Sequence, residues 1–91
     1  MTKLTDREFE RLLKPLANRR RIGIIRFLKA RKEATVSDIA DAIKLSFRST
    51  SKHLGLLASA EIVEREQRSL QMFYSIPRNL PPVVAAVISL V

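Results

Sequence analysis

TVSDIADAIKLSFRSTSKHLGLL (35–57) holds two short helical patterns separated by a tight break at Lys44 to Phe47. In the first, Thr35 and Asp38 stand at capping-box spacing, and Ile39, Ala40 and Ile43 recur on one side. In the second, Ser46 is placed to cap the helix, which runs to about Ser59, and Thr50, Leu54 and Leu57 recur at the spacing of a buried face. Arg48, Ser51, Lys52 and Gly55 fall at i, i+3, i+4 and i+7, on a separate, outward stripe. Two helices joined by so short a turn, the second carrying its own polar stripe, make a helix-turn-helix.

That stripe suits a helix laid in a DNA groove. Arginine forks onto guanine, lysine and serine reach phosphates or bases, and glycine permits close approach. Ser49 joins the same surface. Phe47 opens the helix, where such helices point at base edges; it touches a thymine methyl there or staples the core. Taken alone, Arg48 and Lys52 would read as a solvated helix face. The turn before them and a basic hairpin after them favour DNA.

Working outward, Thr5 and Glu8 mark the start of a first helix with Phe9, Leu12, Leu13 and Leu16 as its apolar stripe, interrupted at Pro15. Asn18 caps a second helix bearing Ile22, Ile24, Ile25 and Leu28. Arg19, Arg20 and Arg21 occupy its first turn, against the helix dipole. They await a phosphate there or curl into solvent. Downstream, Ile62 to Gln67 and Met72 to Ile76 alternate as strands, the second with Met72, Tyr74 and Ile76 on one face. Arg68-Ser69-Leu70-Gln71 is the hairpin tip between them, with Arg65 on the first strand. Pro81 and Pro82 introduce a last helix, Val83 to Val91, that is apolar nearly all round. Such a helix must be buried, and a small domain has little interior left for it. The expected fold is mainly α with one small β-hairpin (α+β), in the order α-α-α-α-β-β-α, within a single domain over 1–91.

The chain has 91 residues, 46% of them apolar, enough for one thin core that invites help from a partner subunit. It has no cysteine, so disulfides, thiolate metal ligands and thiol switching are excluded. The sequence MTKLTDREFE lacks the apolar run of a signal peptide, and the nine residues from Val83 to Val91 fall short of the ~20 that span a membrane. A soluble, cytoplasmic protein is expected. Its 17 basic and 9 acidic residues leave a net charge of +8, and the segment from Arg11 to Lys32 contains no acid. Such an excess points to a polyanionic partner. One histidine, no cysteine and no glycine-rich phosphate loop leave no credible catalytic set, so an enzyme is not expected.

LKPLANRRRIGIIRFL (13–28), TVSDIADAI (35–43), LSFRSTSKHLGLL (45–57), EIVEREQ (61–67) and QMFYSI (71–76) together resemble the ArsR-type repressors, dimeric winged helix-turn-helix proteins. The resemblance implies that Phe47, Arg48, Ser51 and Lys52 read the major groove and that the Arg68 hairpin is a wing touching the backbone or minor groove. It implies a dimer built by the terminal helices, 5–15 and 82–91, with Phe9, Leu12, Val84, Val87, Ile88 and Leu90 as contacts. The chain departs from the family at Lys44, Glu61 and the wing tip, where glycine is common. A positive φ at any of these would cost about 1 kcal/mol. It departs also at Thr35 and Ser37, which stand where a common metal site has cysteines, and along LPPVVAAVISLV, which offers none of the family's Asp, His or Glu ligands. His53, on the recognition helix, is expected to be hydrogen-bonded rather than metal-ligating.

The expected function is that of a homodimeric transcription regulator, a repressor, reading a palindromic site on double-stranded DNA with no metal, cofactor or membrane involved. Arg19, Arg20, Arg65 and Arg68 would add backbone contacts. The competing readings are an architectural DNA-binding protein without sequence preference and a winged-helix module for protein contacts.

Overall fold

A computed structural model describes residues 3–91. Helix α1 (Asp6–Leu13) starts under a complete capping box: Thr5 Oγ1 accepts from the Glu8 amide at 3.2 Å, and Glu8 Oε1 accepts from the Thr5 amide at 3.0 Å. Pro15 sits in the 3-10 turn Lys14–Leu16 that follows. Helix α2 (Arg19–Arg31) begins at Asn18, whose Oδ1 accepts from the amides of Arg20 and Arg21 at 2.9 and 3.1 Å. After the short strand β1 (Glu33–Thr35) come α3 (Val36–Ile43) and α4 (Phe47–Ser59), capped by Thr35 and Ser46. Strands β2 (Glu64–Arg68) and β3 (Gln71–Ser75) form the hairpin, and α5 (Pro82–Ser89) ends the order.

One apolar cluster joins these elements. Ile24, Ile25 and Leu28 of α2, Ile39 of α3, and Leu54 and Leu57 of α4 are essentially sealed from solvent, and Ile62, Val63 and Tyr74 extend the cluster under the hairpin. Burying a side chain of this size contributes roughly 1.5–3 kcal/mol, so α4 is anchored by the face opposite its cations.

The sheet differs from the expected hairpin. It has three antiparallel strands in the order β1-β3-β2, with Ala34 opposite Tyr74 in one register and Arg65 opposite Tyr74 in the other. The sequence of β1 is too short and polar to announce a strand; only pairing with β3 makes it one. The first hairpin strand runs over Glu64–Arg68 rather than Ile62–Gln67, because Ile62 and Val63 are drawn into the core before pairing begins. The second is Gln71–Ser75 rather than Met72–Ile76. Arg68 and Gln71 pair with each other, so the tip shrinks to Ser69-Leu70.

The last helix is also used differently. Val84 and Ile88 are 1% and 6% exposed and belong to the chain's own core. They leave no surface for a second copy, which corrects their assignment as dimer contacts. Lys29 holds the end of α5, donating from Nζ to the Ile88 carbonyl at 2.9 Å.

Lys44, Glu61 and Ser69 have φ of 56°, 60° and 58°, so a positive φ is met at each site where the family's glycine is absent, and Lys32 also has a positive φ of 75°. At Lys44 the geometry is kept because α3 must stop and turn into α4, with the Lys44 amide bonded back to the Ala40 carbonyl.

Arg21 ties the elements around the recognition helix together. Its Nε donates to the Pro15 carbonyl and its Nη1 lies 3.2 Å from His53 Nδ1 on α4. A guanidinium can only donate, so His53 accepts through Nδ1 as a neutral ring. Partial burial and the nearby charges of Arg21, Arg20 and Lys52 lower its pKa.

Two outcomes follow from this packing. Thr50 is fully buried and its Oγ1 finds no hydrogen-bond partner among the described residues. Thr50→Val keeps the shape and removes the orphan hydroxyl, and should stabilise the fold by about 1 kcal/mol, read as a higher denaturation midpoint at unchanged slope. His53 is held neutral in the fold, so the unfolded chain binds its proton first and stability should fall as pH drops below about 6.5. The carboxylates with lowered pKa, Glu8 and Glu33, respond only at lower pH, where they too weaken the fold. Unfolding curves between pH 7.5 and 5.5 should therefore lose much of their pH slope in His53→Gln.

Candidate nucleic-acid interface

Helix α4 is buried along Thr50, Leu54 and Leu57, so the residues between them are turned outward. Phe47, Arg48, Ser49 and Lys52 are exposed, while Ser51 and Gly55 are half-buried. Phe47 is 59% exposed and is not a core staple. A methyl added at Gly55 would meet nothing within 4 Å, so glycine is not required there for internal packing. The side chain of Ser46 accepts from the Ser49 amide at 3.1 Å, which fixes the first turn and the direction in which Arg48 leaves it. Among the described residues, neither Arg48 nor Lys52 is engaged in an ion pair. Both charges are available to an external anion.

The arginines at the start of α2 divide in role. Arg19 and Arg20 are exposed, and Arg20 also donates to the Ile43 carbonyl at 3.3 Å, supporting the end of α3. Arg21 is the internal tie described above. With Arg26, Arg19 and Arg20 rim a hollow of 340 Å3 floored by Gly23, Phe27, Ala42 and Ile43. Nothing in the local sequence distinguishes Arg21 from its two neighbours; only its reach to Pro15 and His53 does.

The hairpin departs from expectation at Arg68. Its guanidinium forks onto Glu33 at 2.9 and 2.6 Å, bonds Glu66 at 2.7 Å and lies 4.6 Å from the centre of the Phe73 ring. The bidentate fork holds the Glu33 carboxyl below its ordinary pKa. An arginine so occupied is not the free wing cation that the sequence suggested. No reading of 61–76 alone could find its bidentate partner, because Glu33 lies 35 residues away, on the far strand. Arg65 is the hairpin cation without an ion pair among the described residues; it lines a hollow of 590 Å3 with Gly55, Ala58 and Glu64.

Apolar groups are also exposed at the terminal helices. Phe9 of α1 is 41% exposed and Leu90, just past α5, is 87% exposed. Leu12 and Val87 are half-buried beside the core, on helices that pack against each other. Among the described residues no group of three His, Cys, Asp or Glu side chains could hold a metal ion, and no helix is long and apolar enough to cross a membrane.

Comparison with known proteins agrees with this geometry. A family model described as a helix-turn-helix domain matches residues 16–66. A comparison with curated protein sequences gave no match. Among solved structures, the chain is similar to the transcriptional repressor PagR of Bacillus anthracis, with 30% identity over 87% of this chain and 86% of that one and a TM-score of 0.74. It is similar to a homodimeric winged helix-turn-helix DNA-binding domain from Mycobacterium bovis, described as a possible ArsR-family regulator, with 30% identity, coverage of 99% and 85%, and a TM-score of 0.75. HlyU from Vibrio cholerae is 27% identical over 96% of this chain and 92% of its own, with a TM-score of 0.78. With its helix-turn-helix, three-stranded wing and closing helix, the chain belongs to the helix-turn-helix domain family and, within it, to the ArsR-type winged helix-turn-helix transcriptional repressors.

Proposed function

We propose that this protein is a sequence-specific repressor that binds a palindromic site on duplex DNA as a homodimer, with no metal in the DNA-binding act. The observation that carries the reading is the outward face of α4. Arg48 and Lys52 stand exposed and uncompensated on a helix whose opposite face is sealed into the core. In this reading Arg48 forks onto a base in the major groove, with Ser49, Ser51 and Lys52 beside it and Phe47 against a thymine methyl. Arg19, Arg20 and Arg65 meet phosphates. Arg68 is left out of the set, since a phosphate would have to displace two carboxylates from it.

The dimer is supported by the apolar surface of α1 and α5, where Phe9, Leu12, Val87 and Leu90 remain uncovered or half-covered. The relative from Mycobacterium bovis is described as homodimeric. A two-fold axis there would place the two recognition helices about one DNA turn, ~34 Å, apart.

Arg48→Ala should weaken binding to the selected site by about 1–3 kcal/mol and binding to random DNA by less. Titration of both DNAs at one stated salt concentration checks this. An equal loss on both would make Arg48 a phosphate contact and favour an architectural role. In sedimentation, the wild type should run as a dimer at micromolar concentration, and Phe9→Glu with Leu90→Glu should shift it to monomer. A wild-type monomer would end the palindromic model.

A further inference from the structure

The wing has an unusual chemistry for an element that approaches a polyanion. Its acids Glu33, Glu64 and Glu66 outnumber its bases Arg65 and Arg68 by three to two, and Arg68 is consumed by Glu33 and Glu66. What stands at the tip instead is Leu70, 96% exposed, the barest large apolar side chain among the described residues. A lone exposed leucine is ordinary on a protein surface. Its place here is not, because Leu70 and Phe47 line the same hollow of 410 Å3, together with Thr35 to Asp38 at the start of α3. The wing tip therefore lies on the same side of the molecule as the entering end of the recognition helix.

Resting on the DNA-binding reading above, we propose that Leu70 is an apolar wedge that enters the minor groove beside the recognition helix and partly unstacks one base step, bending the duplex. Apolar side chains inserted in this way kink DNA, and the cost is least at pyrimidine–purine steps such as TA and CA. Leu70 is thereby a specificity residue: it selects a deformable step without a hydrogen bond to any base. A wedge also needs a stiff mount. Arg68 supplies it by crossing the Phe73 ring from the edge strand β2 to Glu33 on β1, so one side chain spans the three strands just behind the tip. The two-residue turn adds to this, with positive φ at Ser69 alone, the φ pattern of a type II′ hairpin turn.

The test uses the full chain and a duplex selected from a random pool by the wild-type protein. 2-Aminopurine is placed at successive steps across each expected wing position, and end-labelled duplexes report the bend by energy transfer. The wild type should raise 2-aminopurine emission at one step per half-site and shorten the end-to-end distance. Leu70→Ala should bind about tenfold more weakly and lose both signals. Leu70→Lys, which adds attraction to phosphate but has no apolar wedge, should bind tightly and still leave the step stacked. Site-selective binding by the wild type with no emission change and no bend would overturn the wedge while leaving the DNA-binding reading intact. So would Leu70→Ala or Leu70→Lys retaining both signals. Absence of DNA binding by the wild type would overturn both.

Discussion

The sealing of one face of α4 into the core is the constraint on which the rest depends. Leu54, Leu57 and Thr50 are fully buried, and the two leucines share one apolar cluster with side chains from α2 and α3, so the helix has no freedom to rotate about its axis. Turning it would expose two leucines and bury two cations, and an unpaired buried charge is far more costly than an exposed methyl group. The outward direction of Arg48 and Lys52 is thus a consequence of apolar packing. The Arg21 tie adds to it by joining the turn after α1 to His53 on α4 through a single guanidinium.

The basic excess of this chain is not one uniform attractive field. Arg20, Arg21, Lys29 and Arg68 donate to carbonyls, an imidazole or carboxylates within the molecule. Lys29 donates to the Ile88 carbonyl at the end of α5, a location that the negative end of a helix dipole favours. Arg48 and Lys52 have no such ion partners among the described residues, and they lie along one helix. Net charge indicates a polyanion as partner; only the pattern of internal pairing indicates which cations remain to meet it.

The same division appears in the backbone. Lys44, Glu61 and Ser69 adopt positive φ without glycine, each just after a helix or strand ends and the chain changes direction. A left-handed residue with a side chain is a local cost of about 1 kcal/mol, offset by the packing of the elements that the turn joins. The wing tip is the clearest instance, because the pairing of Arg68 with Gln71 leaves Ser69 and Leu70 alone to close the hairpin.

Local chemistry was enough to read the helices from the sequence. Thr5, Asn18, Thr35 and Ser46 each cap the helix that their spacing announced, and the apolar period identified Ile24, Ile39, Leu54 and Leu57 as core. These features depend on residues three or four apart, so a linear reading contains them. The exposure of Arg48 and Lys52 was legible for the same reason, whereas Ser51 and Gly55 of the same expected stripe are half-buried. What only tertiary structure decided involves partners distant in sequence. β1 exists because β3 pairs with it, Arg68 is occupied because Glu33 comes alongside, and Arg21 differs from Arg19 because Pro15 and His53 are within its reach. The apolar period of α5 could not distinguish Val84 and Ile88, which fill this chain's own core, from Leu90, which remains exposed. Periodicity reports which residues share a helix face; what that face meets is set by the packing of elements far apart in the chain.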